Sequence, residues 1–154
     1  MMHPVDAEMV RRGQAKRPMT PAPGLRRRIL YRLFVAPAPS TIEAAEIDVE
    51  LIDGADVPGV RGLRVIHAPG HCAGQIVLLW TARRVLIVGD AAANMMGLGL
   101  SLGYEDLARG IRALTSLATF DFDVACFGHG GPIKGDAARQ FRRRWPAAAT
   151  SPAA

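Results

Sequence analysis

The chain has 154 residues, 49% of them hydrophobic and 21% charged, with a formal net charge of +5. That length sets one domain with room for a real core, the absence of a long apolar run excludes a spanning helix, and MMHPVDAEMVRRG lacks the apolar centre of a signal peptide, so a cytoplasmic location is expected. Two cysteines, Cys72 and Cys126, exclude a disulfide scaffold.

In chain order, residues 3–14 read as a short helix. Pro4 suits a first turn, Asp6 and Glu8 its N-terminal end, and Arg11 and Arg12 its C-terminal end. Residues 16–24, with Pro18, Pro21 and Pro23, must be a loop. Residues 25–35 form an amphipathic helix with Leu25, Ile29 and Leu33 on one stripe and four arginines mostly elsewhere. A basic helix of this kind can lie on a membrane; the plainer reading adopted is a surface helix packing that stripe on the core, with no membrane partner. Residues 47–52 alternate Ile47, Val49 and Leu51 with Asp48 and Glu50, which predicts a half-exposed strand. A strand over 63–66 leads into a loop holding His67 and His71. The apolar runs 75–80 and 85–88, joined by Thr81-Ala82-Arg83-Arg84, predict an antiparallel hairpin. Residues 91–103, rich in Gly around Met95, Met96 and Leu98, read as a flexible apolar loop, either packed or turned toward a substrate. Residues 104–118 predict a helix with Leu107, Ile111, Leu114 and Ala118 on one stripe, and Glu105 and Asp106 in its first turn. A buried strand over 123–127 and a last helix over 135–145 follow, then a frayed tail over 146–154. The arginine runs 26–28 and 142–144 lack interleaved aromatics, so they read as solvated surface and no nucleic-acid partner is expected.

The hairpin gives these residues a chemical meaning. His71 sits just before its first strand and Asp90 just after its second, which places both at one rim. His129 follows the 123–127 strand between Gly128 and Gly130. Two imidazoles and a carboxylate at strand ends are sensible ligands for a divalent metal such as zinc. Taken singly, each has a plainer role: a loop histidine, a turn or capping aspartate, a histidine in a glycine turn. Pro69 and Gly70 forbid the helix that would bring His67 and His71 onto one face. Cys72 and Gln75 follow His71 in sequence and are candidates for substrate contact, although a structural role is the reading adopted for Cys72.

Ala68-Pro69-Gly70-His71-Cys72-Ala73-Gly74, then Val88-Gly89-Asp90, then Phe127-Gly128-His129-Gly130 resemble, in order and spacing, the later motifs of the metallo-β-lactamase fold hydrolases, closest to the glyoxalase II-like and lactonase-like branches. The resemblance implies an α+β fold, part of an αββα sandwich, with the second sheet and its flanking helices within residues 1–145. It implies zinc, two ions in an intact member, with His71, Asp90 and His129 as ligands. Asp90 matches the catalytic carboxylate bridging the ions, and His71 and His129 belong to different ions. The reaction implied is hydrolysis of an ester, thioester or lactone bond in a small-molecule substrate.

The family's H-x-H-x-D-H motif does not occur, since no two of His3, His67, His71 and His129 lie two residues apart. The segment that would follow that motif begins at Met2. The expectation is therefore the C-terminal half of such a hydrolase, with at most one zinc, inactive or nearly so alone. One half would leave a sheet face bare, at about 25 cal/mol per Å² of apolar area, so a homo-dimer through that face is expected. The alternative is a catalytically silent remnant or a partner-binding module completed by another chain.

Overall fold

The computed structural model describes residues 1–147. The tail expected over 146–154 lies, from residue 148 onward, outside the described residues. In chain order the elements are α1 (Pro4–Arg11), β1 (Thr20–Pro21), α2 (Leu25–Leu30, continued by a π turn over Tyr31–Val35), β2 (Leu63–His67), β3 (Ile76–Trp80), β4 (Val85–Gly89), β5 (Gly103–Tyr104), α3 (Leu107–Leu117), β6 (Val124–Phe127), β7 (Ile133–Lys134) and α4 (Ala137–Arg144).

The centre is a mixed five-stranded sheet in the order β2-β3-β4-β6-β7, with β1 and β5 paired separately. The expected hairpin forms as antiparallel β3–β4, with Leu79 opposite Leu86. Its link is a single turn of 3-10 helix over Thr81–Arg83, closed by Arg84 at φ 52. Strand β6 lies parallel to β4, reached through α3, so the C-terminal ends of β4 and β6 share an edge. The N-terminal end of β3 lies at that same edge. This arrangement delivers the His71, Asp90 and His129 loops to one side of the sheet.

Alternation along the strands sorts the core. Val77, Leu79, Leu86, Val88 and Ala125 face α3 and α4 and are buried with Leu114, Leu117, Phe122 and Phe141. The opposite face carries Ile76, Leu78 and Trp80, which pack on a smaller cluster of Leu51, Val57, Leu63 and Val65 and stay only half buried, while Ile87 is exposed.

Three expectations are corrected here. Residues 47–52 keep the predicted alternation of burial, but they form no strand: Met2 alone pairs with them, through Leu51 N to Met2 O at 2.9 Å and Met2 N to Val49 O at 3.2 Å. An alternating sequence becomes a strand only where a neighbour offers a ladder. Helix α3 starts at Leu107, capped by Asp106, whose side chain accepts from Arg109 N at 2.8 Å. Tyr104 is spent instead in β5, and the buried face runs through Gly110, Leu114 and Leu117 while Ile111 is exposed. Helix α2 and its π turn bury none of their residues: Leu25, Ile29 and Leu33 face outward. Its inward contacts are polar, with the Tyr31 hydroxyl donating to Met19 O at 2.8 Å and Arg27 Nε to Leu100 O at 3.3 Å. The 91–103 loop is packed at its base, where Ala91, Ala92 and Ala93 are buried, with Met95 and Met96 exposed at its tip. Among the described residues no helix is long and apolar enough to cross a membrane.

Candidate functional site

The His71 loop is shaped from both sides. Ala68 N donates to Gln75 O at 2.8 Å and closes it at the sheet. Gly70, at φ 147, lies against the backbone of Gly110, where any side chain would collide. Asp106 N donates to Gly70 O at 3.0 Å and Glu105 N to His71 O at 3.1 Å, so the loop rides on the start of α3.

Carboxylates grip the other side. Asp6 of α1 accepts from Gly74 N at 3.1 Å and from the Cys72 thiol at 3.0 Å. Glu105 accepts from Ala73 N at 2.8 Å. Arg17 joins the two acids, at 2.8 Å from Asp6 and 3.3 Å from Glu105. Burial, then the adjacent Asp6 carboxylate, pushes the Cys72 thiol well above the ordinary thiol range, so it acts as a hydrogen-bond donor rather than a nucleophile.

Within this frame His71 donates from Nδ1 to Gly103 O at 2.9 Å, which leaves Nε2 with the free lone pair. Its ring meets Tyr104 edge-to-face at 5.9 Å. The buried Tyr104 hydroxyl donates to Ala91 O at 2.8 Å, and Ser101 Oγ donates to Asp90 O at 2.7 Å. These bonds tie the base of the Asp90 loop to that of His71. His67 stands aside from them. It donates from Nε2 to Ala73 O at 2.9 Å and stacks on His3 at 4.1 Å between centroids.

Asp90 and His129 come together, with His129 Nε2 3.6 Å from Asp90 Oδ1. That carboxylate oxygen is buried and has no hydrogen-bond partner among the described residues. Gly128 makes room for it: a Cβ there would run into Asp90 Oδ1. Gly130, at φ 94, turns the chain against Asn94, and Asn94 N donates to His129 O at 3.0 Å.

One cleft of about 660 Å³ is lined by His71, Cys72, Gln75, Asp90, Glu105 and His129 at one end. Met19, Phe34, Val35 and Ile42 also line it, together with the polar Gln14, Lys16 and Arg17. The donor chemistry fits a divalent metal in part. A buried carboxylate oxygen without a donor, beside an imidazole, is a natural half-site. His71 shares the cleft with the pair, and among the described residues no group of three His, Cys, Asp or Glu side chains is placed to hold an ion.

A family model, the metallo-beta-lactamase superfamily, matches residues 3–129. The chain belongs to this superfamily. The lactamase-like protein aptB of Emericella nidulans is 31% identical over 86 residues, covering 54% of this chain and 26% of aptB. A metallo-beta-lactamase family protein from Thermus thermophilus, TTHA1429, aligns over 93% of this chain and 50% of its own, with TM-score 0.59 and 24% identity. The B3 metallo-beta-lactamase BLEG-1 aligns over 94% and 62%, with TM-score 0.61 and 18% identity. TTHA1623, solved in a di-iron-bound form, aligns over 94% and 62%, with TM-score 0.56 and 17% identity. These likenesses establish the α+β metallo-β-lactamase-like fold. The chain spans between a quarter and about three fifths of the length of these relatives.

Sequence reasoning placed His71, Asp90 and His129 on the cleft and missed the residues that hold them there. Asp6, Glu105 and Asp106 carried a helix-terminus signal, yet Asp6 and Glu105 direct their carboxylates at the His71 loop. Nothing in the local sequence marked Arg17 as their bridge.

Proposed function

We propose that the chain carries part of the site of a zinc-dependent hydrolase acting on ester, thioester or lactone bonds of a small-molecule substrate. The observation that supports this best is the unpartnered Asp90 Oδ1 beside His129 Nε2, in the cleft that His71 also lines. When bound, zinc supplies Lewis acidity and a nucleophile at neutral pH. Asp90 is the catalytic carboxylate, with Oδ1 held out of water and ready to orient a donor. His129 Nε2 is the second ligand atom. His71 presents Nε2 because its Nδ1 proton is committed to Gly103 O. Tyr104 and Ser101 fix the backbone around both loops.

A second reading accounts for the missing third donor. The described residues hold no three-donor group, so a complete site draws ligands from outside these 154 residues. In this reading the chain alone is inactive or nearly so, and self-associates through the half-covered face around Ile76, Leu78 and Ile87. Hydrolysis of p-nitrophenyl acetate, a thioester and a γ-lactone, each measured with and without added zinc, tests both. Zinc-dependent turnover abolished by Asp90→Asn supports the hydrolase reading. No turnover, with zinc still bound through Asp90, supports the incomplete site. Turnover indifferent to zinc and to Asp90→Asn contradicts both.

A further inference from the structure

Helix α2 is seated with its polarity inverted. Leu25, Ile29 and Leu33 recur every fourth residue and are 75%, 49% and 60% exposed. Arg26, Arg28 and Arg32 are exposed beside them. The inward side is held by Arg27 and Tyr31, and the 91–103 loop makes space for those two side chains. A Cβ on Gly99 would come within 2.8 Å of Arg27 Nη2, and one on Gly103 within 2.6 Å of the Tyr31 ring. Lys16 Nζ, donating to Val35 O at 3.2 Å and Ala36 O at 3.1 Å, fastens the helix's C-terminal end. The outward stripe is thus set by specific contacts on the opposite side.

Charge says what such a stripe can meet. No Asp or Glu occurs between Glu8 and Glu43, a segment that contains Lys16, Arg17, Arg26, Arg27, Arg28 and Arg32. A second copy of the same stripe would bring three exposed arginines against three others, a like-charge contact that opposes pairing. A nucleic acid would use the arginines and leave Leu25, Ile29 and Leu33 in water. An anionic lipid surface uses both: aliphatic side chains enter the headgroup boundary while flanking arginines reach the phosphates.

We propose that α2 is an interfacial helix that docks this chain on anionic lipid. The helix runs on into Phe34 and Val35, which line the cleft holding His71, Asp90 and His129. Docking by this stripe brings Phe34 and Val35, and with them that part of the cleft lining, close to the lipid surface.

The test is co-sedimentation of the full chain with phosphatidylcholine vesicles, with and without phosphatidylserine. Binding is expected only to the phosphatidylserine vesicles, and added salt should release it. Replacing Arg26, Arg28 and Arg32 by Gln should weaken binding on the order of a hundredfold. Replacing Leu25, Ile29 and Leu33 by Ser should abolish it, with circular dichroism unchanged and the thermal midpoint little moved, because each of these side chains is about half or more exposed. Independently, the fluorescence of Leu33→Trp should shift to the blue on phosphatidylserine vesicles. No binding to those vesicles, binding undiminished by the serine substitutions, equal binding to neutral vesicles, or an unshifted Trp emission would each overturn the proposal.

Discussion

At the scale of single residues, the cleft depends on one carboxylate oxygen that lacks an ordinary partner and on the glycine that admits it. Asp90 Oδ1 sits where a side chain at Gly128 would be. Gly128→Ala should force the carboxylate aside, costing about 2 kcal/mol of stability and lowering zinc affinity; chemical melts and a metal titration of the same variant check both. Cys72 makes the opposite prediction, that of an inert group. Its thiol is half-buried, donates to Asp6 and has its pKa raised by that burial and by the Asp6 carboxylate. Iodoacetamide at pH 8 should label it roughly tenfold or more slowly in the folded chain than in urea, and equal rates would show a reactive cysteine. His3 gives a pH signature. Its Nδ1 accepts from Val5 N at the N-cap of α1, and burial, followed by the neighbouring His67, lowers its pKa below the ordinary 6.5. The unfolded chain then takes up this proton first as pH falls. The stabilisation is full above the unfolded value of 6.5 and is lost as pH drops through the lower folded value. His3→Asn keeps a capping side chain without the titration. Urea melts from pH 8 to pH 5 should show the parent losing more stability than this variant, and parallel curves would contradict the assignment.

At the scale of elements, two helix starts hold one loop. The N-terminal part of α1 supplies Asp6, the residue before the α3 cap supplies Glu105, and Arg17 neutralises both while they bind the backbone of the His71 loop. Arg17→Met leaves two carboxylates facing each other in a largely buried position, and should cost about 2 kcal/mol. Adding Glu105→Gln should recover part of that loss, which a double-mutant cycle would read directly. The legibility of the sequence follows the same division. The hairpin and the strand after α3 were readable because their apolar runs are short, β-branched and bounded by turn residues. The loops carrying His71, Asp90 and His129 were readable by their motifs. The outward face of α2 was not, since a stripe at helical spacing says that one side is apolar and not which way that side points. Arg27 and Tyr31, reaching Leu100 O and Met19 O, decide the direction through contacts distant in sequence. The segment 47–52 failed as a strand for a related reason: alternation specifies faces, and the partner strand must come from elsewhere.

At the scale of the whole molecule, one face of the sheet is sealed by α3 and α4, while Ile76, Leu78 and Trp80 on the other are half covered and Ile87 is open. Sedimentation of the isolated chain should show concentration-dependent association through that apolar surface; a clean monomer at every concentration would count against it. The central claim is that the cleft is a metal half-site built on Asp90 and His129. Its most direct test is a zinc titration of the isolated chain against a chromophoric chelator, repeated with Asp90→Asn and His129→Ala. Binding of no more than one zinc per chain, lost in both variants, is the predicted result; no bound zinc, or zinc retained by both variants, would contradict it.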